Sequence, residues 1–540
     1  MRPTFMGMQT ALSAIRMSQK GLDITANNVA NAENSEYTRQ RVDTMSTYIG
    51  GSRYRDGSNS YIYGGQGVTI TGIAQVRNQF LDNRYREVNS EASEYSKLYD
   101  TYTEMADIFD DIELDGMSDA LDKMYTNLNS LTQQADRKEI AKIVMTSAKD
   151  ICQILRQFDA KLADVRAQQE YELSKVANER FNDITNAIAK LNEQIVDEVS
   201  YNKMMQDPNT GERRVNQSYG PNELLDSRNA LIDELSSYAN IKVENKDDGS
   251  VNIYLKNTDD GAGNLLALVK GNKSYNLEEK YDETTKKVTI NHIAGSGIPR
   301  DITYAISSQS DGKGTIGAYV NLINGKGVYA DTVGSPTSIP PVYPESSSVS
   351  IAYFQQAIDN FASTFASAFN TANTSDVDSP GKLLFQGDGG PITAGNITLT
   401  SDFINDPLNS LCRSIDSSDG SYQNTNIHKM IQLFDSTTLK FGTLPVSGNP
   451  EFTGNFKSYL EYFTNELTQQ ITFYESRSKA TDAIANQLLD SRDAVSAVNT
   501  EEEAANMITY SKSLNAASRL MTALDEALDT IINSMGLVGR

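Results

Sequence analysis

Matching apolar stripes at the two ends of this chain limit its fold more than any other feature. Near the N-terminus Met8, Ile15, Leu22 and Val29 recur every seven residues, with Ala11, Ser18 and Thr25 between them. Near the C-terminus Met507, Leu514, Met521, Leu528 and Met535 recur in the same way, interleaved with Tyr510, Ala517, Leu524 and Ile531. A seven-residue repeat holds one seam of a helix against a partner helix. The partners here lie almost a full chain length apart. Such a chain is expected to pair its own ends and to keep apolar surface for neighbours, as a subunit of something larger does. A purely intramolecular coiled coil is the alternative that the pattern leaves open.

A chain of 540 residues has room for several domains and sizeable cores. With 48 Lys and Arg against 71 Asp and Glu, its formal charge is −23. That balance argues against a nucleic-acid partner, whose phosphates need a basic footprint, and against anionic membrane surfaces. No run approaches the ~18 apolar residues of a membrane-inserted helix. Gln9, Thr10, Ser13 and Arg16 break any apolar leader at the start. Export, if it occurs, is therefore expected to keep the N-terminus. Cys152 and Cys412 allow one bridge at most, and Cys152 sits in a helical pattern beside Ile151, Ile154 and Leu155 as a small core residue would.

The period changes along the chain mark its organisation. A first helix is expected from about Thr4 to Ala30, closed by Asn27, Asn28 and Asn31, which tolerate left-handed geometry and satisfy loose carbonyls. A Gly-, Ser- and Tyr-rich loop over 50–65 precedes a strand from Gly67 to Ile73. From Asn78 to Val199 the pattern is helical, with Asp115-Gly116 as the clear break, and Ile184, Ile188, Leu191, Ile195 and Val199 stepping by three and four. A polar loop over 208–221 leads to a helix carrying Leu224, Leu225, Leu231, Ile232 and Leu235. At Ile241 the period switches to two. Asp248-Gly249 between two alternating runs signals a hairpin, and Val288–Ile290 and Ile302–Tyr304 read as further strands. A Pro- and Ser-rich stretch over 335–344 reads as a linker. Phe354, Ile358, Phe361, Phe365 and Phe369 resume the helical step, Asn396–Leu399 interrupts it, and long helices follow over about 456–498 and from 501 onward.

These readings give a mainly α fold with a β-rich insert, in a nested multidomain layout whose long coiled-coil or helical-bundle core comes from both chain ends. Residues 1–32 with 503–540 are expected to form a terminal coiled-coil unit. Residues 33–240 with 346–502 form a helical bundle with small β elements, and 241–345 an inserted β-rich unit.

No constellation for catalysis stands out. His292 and His428 are far apart and lack neighbouring ligands, so no metal centre is expected. The run Gly312-Lys313-Gly314-Thr315-Ile316-Gly317 matches a dinucleotide fingerprint in spacing only. The polar Ser307–Asp311 stretch precedes it where a buried strand should, and Asp331 follows too short an apolar run. Neither an enzyme nor a bound cofactor is expected.

Several blocks resemble the flagellar axial proteins of bacteria (rod, hook and hook-associated). Ala26-Asn27-Asn28-Val29-Ala30-Asn31 with Tyr37-Thr38-Arg39, and Gly65–Ile70 with Ile73, Phe80 and Leu81, are similar to the blocks shared by that class. Ile188–Ile195, Leu224–Arg228 with Asp247–Val251, and Arg492–Ser496 with Glu502-Glu503-Ala504-Ala505-Asn506 resemble one branch of it, the family of first hook–filament junction proteins. Departures occur at Glu36, Ala497, Thr500-Glu501, Ser511, Lys512, Leu514 and Asn515, where the family pattern differs.

The resemblance implies a structural subunit of the flagellum, exported by the flagellar type III system and needed for filament assembly and motility. It implies self-association in a helical or ring array and contacts with hook protein and with a second junction protein. An export chaperone is expected at the C-terminal helix, with the protein cytoplasmic before export and extracellular after it. The terminal helices would form the inner tube, through an assembly seam of Met8, Ile15, Leu22, Val29, Met507, Leu514, Met521, Leu524, Leu528 and Ile531. Ala26, Asn27, Asn28, Asn31, Glu502, Glu503 and Asn506 carry the family motif. A flagellin-like filament subunit and a coiled-coil surface adhesin are the alternatives.

Overall fold

The first stripe folds as helix α1 (Thr4–Ala30) and leads into an antiparallel pair of strands, β1 (Gln40–Ser46) and β2 (Val68–Gln75), with a bulge between Asp43 and Thr44. The computed structural model describes residues 4–47, 67–111, 114–204, 221–256, 258, 264–293, 299–307, 314–330, 346–374, 382–411, 424–445 and 447–534. The loops expected over 50–65, 208–220 and 335–344 lie outside the described residues, as do Cys412 and Met535.

Long helices follow: α2 (Gln79–Asp111), α3 (Leu114–Gln133), α4 (Lys138–Ser174), α5 (Phe181–Met204) and α6 (Asn222–Tyr238). Asp115-Gly116 is not the break. It lies in the first turn of α3: α2 ends at Asp111 and α3 begins at Leu114, and a further break falls over 134–137, where Arg137 donates its backbone N–H to Gln134. A glycine one turn inside a helix costs only about 1 kcal/mol, which neighbouring packing overrides.

The β-rich stretch holds two antiparallel sheets. One has the order β3 (Ile241–Asn245), β4 (Val251–Leu255), β5 (Ala267–Lys270) and β6 (Lys273–Ser274). The other has β7 (Asn276–Asp282), β8 (Lys287–Ile293) and β9 (Pro299–Asp301). The β3–β4 hairpin turns at Gly249, whose φ of 89° suits glycine. The strand expected at Ile302–Tyr304 is instead a short helix, α7 (Thr303–Ser307), because Asp301 takes the Thr303 N–H and hydroxyl and turns the chain there. Of the glycine-rich run, Gly312 and Lys313 lie outside the described residues. Gly314 opens α8 (Gly314–Asn324) at φ 65°, where a Cβ would fall 2.4 Å from the Tyr238 carbonyl.

The remaining elements are α9 (Ile351–Thr374), the strand pair β10 (Phe385–Gly387) and β11 (Ile397–Leu399), and the short helices α10 (Ser401–Asn405) and α11 (Pro407–Ser410). Then come α12 (Thr425–Asp435), the pair β12 (Leu439–Phe441) and β13 (Phe452–Gly454), α13 (Phe456–Ser496) and α14 (Thr500–Asp529). The fold is mainly α, with small antiparallel sheets and long helices at both ends.

Two cores organise the body. The larger joins α2, α3, α4, α9, α12 and the first half of α13 around an aromatic column in which Phe361, Phe365 and Phe369 step by four along α9. Each such fully buried ring contributes about 1.5–3 kcal/mol. The thiol of Cys152 sits in this core, pushed up to about 12 by burial. The smaller core gathers Leu173, Phe181, Ile184, Ile232 and Leu235 from the helices with Val251, Ile253, Val288 and Ile290 from both sheets. Helix α8 is apolar nearly all round and serves both cores, with Ala318 and Leu322 in one and Ile316 and Val320 in the other.

A π turn, Lys175–Arg180, joins α4 to α5 and brings two asparagines to an open strand edge. Asn178 accepts the Glu279 N–H at 2.7 Å, and Asn182 accepts the Leu277 N–H at 2.9 Å while donating to its carbonyl. Side-chain amides thus take the place of a further strand beside β7.

Candidate assembly site

Helices α1 and α14 lie antiparallel. Gly7 stands at Leu524, 3.2 Å from a Cβ built on the glycine, and Gly21 stands at the ring of Tyr510, where a Cβ would come within 2.7 Å. Small residues let the backbones approach. Ala11, Ser18 and Thr25 are buried along α1, and Glu503 and Ala517 along α14.

The expected seam residues occupy the flanks of this contact. Met8, Ile15 and Leu22 are half-buried and Val29 is 39% exposed. On α14, Leu514, Met521, Leu524 and Leu528 are half-buried and Met507 is exposed, as is Ile531 in the π turn Thr530–Ser534 that follows. The chain's own helix pair therefore centres on the interleaved small positions, with Ile24 buried beside Thr25, and the expected seam residues keep part of their surface open. Leu12, Ile508, Leu520 and Ile532 add to that open surface.

The motif residues meet where the pair joins the body. Asn28 is buried and acts as a main-chain substitute for β1: its Nδ2 donates to the Gln40 carbonyl at 2.9 Å, and its Oδ1 accepts the Gln40 N–H at 3.0 Å and the Tyr37 hydroxyl at 2.8 Å. Asn27 donates to the Tyr37 hydroxyl at 3.2 Å, and Asn31 donates to the Asn27 carbonyl at 2.9 Å, as a helix-end asparagine should. None of the three asparagines has a positive φ. Ala26 is exposed.

Arg39 then ties this turn to the far end of the chain. Its Nε pairs with Glu503 at 2.8 Å, a second guanidinium nitrogen pairs with Glu502 at 2.7 Å, and its N–H donates to the Ser496 carbonyl, the last of α13. Asn499 caps α14 by accepting the Glu501 and Glu502 N–H groups, with three glutamates in the first turn, where the helix dipole favours acids. Ala497 has φ −75°, so alanine suits a position where the family pattern has glycine. Asn506 lies half-buried on the same side of α14 as Glu503.

The same turn is held to the body. Asp226 of α6 accepts the Thr38 N–H at 3.2 Å and the Gln75 amide at 2.8 Å, and burial raises its carboxyl against the pull of Thr38, Arg77 and Gln75. Two residues on, Arg228 donates to Asn192 Oδ1 at 3.0 Å and to the Gly249 carbonyl at 2.7 Å. Burial, then the nearby Arg86 and Arg77, pull this guanidinium down to about 10. Asn192 in turn accepts the Val251 N–H and donates to the Val251 and Gly271 carbonyls. On α6, Asp233 bridges Arg86 of α2 at 2.6 Å and Arg492 of α13 at 2.5 Å. The blocks that carried the resemblance are thus the parts that interlock. Arg39, Gln40, Asp226, Arg228 and Asn192 belong with the site residues; for all but Gln40, which follows directly after Arg39, their presence inside those blocks was the available signal.

Among the described residues, no group of three or more His, Cys, Asp or Glu side chains is placed to hold a metal ion, and no helix is long and apolar enough to cross a membrane. His428 is exposed on α12, and His292 is buried with Nε2 on the Ala267 carbonyl.

Such a fold, with paired end helices riveted to a helical body, defines a structural subunit of axial type. The comparisons agree. The family model described as flagellar hook-associated protein FlgK helical domain matches residues 102–385, and a flagellar basal body rod FlgEFG protein C-terminal model matches 493–535. The chain belongs to the FlgK family of flagellar hook-associated proteins, structural components of the hook–filament junction. It is 26% identical to flagellar hook-associated protein 1 of Bacillus subtilis (strain 168), over 100% of both chains. With its counterpart in Salmonella typhimurium it shares 23% identity over 97% of this chain and 98% of that one. The solved flagellar hook junction protein FlgK from Burkholderia pseudomallei has the same fold, with TM-score 0.56 and 13% identity over 76% of this chain and 100% of that chain.

Proposed function

We propose that this chain assembles in many copies at the hook tip and forms there the seat on which a second junction protein and the filament are built. The observation that carries the reading is the antiparallel α1–α14 pair, clamped through Arg39 to Glu502 and Glu503 and bordered by unburied large apolar side chains. In this arrangement the pair, with residues 1–32 and 503–540, forms the inner tube. The helical bundle surrounds it, and the β-rich insert faces outward. The half-buried Met8, Ile15, Leu22, Leu514, Met521 and Leu528, with Val29, Met507 and Ile531, then meet neighbouring copies and hook protein.

Before assembly the chain is cytoplasmic and passes unfolded through the flagellar type III channel. An export chaperone covers the C-terminal helix, where Ile508, Leu520, Ile531 and Ile532 are exposed and would otherwise promote aggregation. Outside the cell it works as a structural part without catalysis.

Electron microscopy of cells lacking the protein tests this. Hooks without filaments, and loss of motility, are expected. Filaments of normal number on such cells overturn the reading, as does normal hook-tip incorporation of a chain lacking residues 1–32 and 503–540.

A further inference from the structure

Between α8 and α9 the two chain segments that flank 331–345 lie side by side and form a neck. Lys326 and Gly327 donate their N–H groups to the Ser346 and Ser348 carbonyls, each at 3.0 Å, and the Ser350 hydroxyl donates to the Gly325 carbonyl. A 3-10 turn, Gly327–Tyr329, then carries the buried Tyr329 ring against the ring of Tyr353. Its hydroxyl accepts from Asn360 of α9 at 2.7 Å and donates to Glu451. Gly442 leaves room for that hydroxyl: at φ 62°, a Cβ there would fall 2.8 Å from it.

Glu451 is fixed from the other side, since its N–H donates to the Phe441 carbonyl of β12 at 3.0 Å. Its half-buried carboxyl gathers hydroxyls from three elements: Tyr329 from the turn, Tyr353 from α9 at 2.8 Å and Tyr459 from α13 at 3.2 Å. Tyr462 and Glu466 of α13 act on it too, and none of these groups is a cation. Burial raises the carboxyl, and Glu466 adds to the rise against the pull of Tyr459 and Tyr462.

We propose that Glu451 is a proton-operated clasp on this neck: its neutral form holds the turn through the Tyr329 hydroxyl, and ionisation loosens the turn. A neutral acid costs little to bury, whereas a carboxylate without a counter-ion gains hydration when the neck opens. The closed neck therefore holds the proton more tightly than the open one. Closure is complete at low pH and is lost as pH rises through the closed-state value of about 7.

Amide hydrogen exchange on the full-length chain, followed as protection factors from about pH 5.5 to about pH 8, tests the clasp. An open-state carboxyl at its ordinary 4.5 against about 7 in the closed neck limits the change over that range to about 30-fold. Protection at Lys326, Gly327 and Tyr329 should fall by about tenfold or more towards that limit as pH rises. Tyr329→Phe should abolish the pH response of these amides and leave that of the α9 amides beside Tyr353 in place, whereas Glu451→Gln should abolish both. Neck amides that are unprotected throughout, or whose protection does not change with pH in the native chain, overturn the clasp. So does a response that survives in Tyr329→Phe.

Discussion

Replacing Asn28 by alanine should loosen the turn that joins the paired ends to the body. Asn28 is buried and holds both main-chain groups of Gln40, the carbonyl at 2.9 Å and the N–H at 3.0 Å. Truncation leaves two buried polar groups without partners, at roughly 1–3 kcal/mol each, and water entering the space left by the side chain recovers part of that cost. A local loss of about 2–4 kcal/mol follows. The chain has two cores and separate modules, so a single global unfolding energy is the wrong readout. Amide hydrogen exchange reads the local opening directly. At 1.4 kcal/mol per decade, the amides of β1 should exchange roughly 30-fold to several hundred-fold faster, while those of α9 in the larger core hold their rates. Asn28→Asp separates polarity from packing. As a carboxylate it faces the Gln40 carbonyl and loses the donor; as a neutral acid it regains one. Asn28→Asp should therefore restore only part of the protection, through the acceptor contacts to the Gln40 N–H and the Tyr37 hydroxyl. Exchange in β1 unchanged within threefold in Asn28→Ala, or an Asn28→Asp protein as protected as the native chain, would refute the assignment.

Gly21→Ala places a methyl 2.7 Å from the Tyr510 ring, so α14 should lose exchange protection around Tyr510; adding Tyr510→Ala should restore it, and failure of that rescue counts against the close approach. A double-mutant cycle on Arg39 and Glu503 should give a coupling of about 1–3 kcal/mol in the opening of the first turn of α14, since Glu503 is buried; additive effects would mean the ion pair contributes nothing. Glu451 accepts hydrogen bonds from Tyr329, Tyr353 and Tyr459, and burial pushes its carboxyl up from 4.5 to about 7. The folded state therefore holds the proton more tightly than the unfolded one, and stability should fall as pH rises from about 4.5 to about 7. Glu451→Gln should flatten that slope when the exchange protection factors of the α9 amides beside it are followed against pH; an unchanged slope would place the titration elsewhere.

Much of the layout was legible because periodicity is a local property. The ends of α1, the Gly249 hairpin and the phenylalanine step of α9 follow from residues within a few positions of one another. The site was legible only as a set of blocks. Arg39 reaches Glu503 and Thr38 reaches Asp226 across most of the chain or a third of it, and no spacing rule links such residues. Asn28 read as a helix-end residue because that is what asparagine does locally. Its bonds to β1 depend on where the chain returns after Asn31.

The register of the paired ends shows a deeper reason for the remaining gap. Reading by hydrophobicity ranks Met8, Ile15, Leu22 and Val29 above Ala11, Ser18 and Thr25. The helix pair inverts that ranking, burying the small set and leaving the large set on the flanks. Close approach of two backbones selects for small side chains, and Gly7 under Leu524 and Gly21 under Tyr510 mark where the approach is tightest. A lone two-helix protein gains less from that choice, because its large apolar groups stay partly in water, at roughly 25 cal/mol per Å². The choice becomes favourable once further helices cover the flanks. In the proposed assembly the two interleaved sets would divide the work, the small one fixing the pair within a chain and the large one meeting its neighbours, whereas a purely intramolecular coiled coil would leave Val29, Met507, Ile508 and Leu520 exposed.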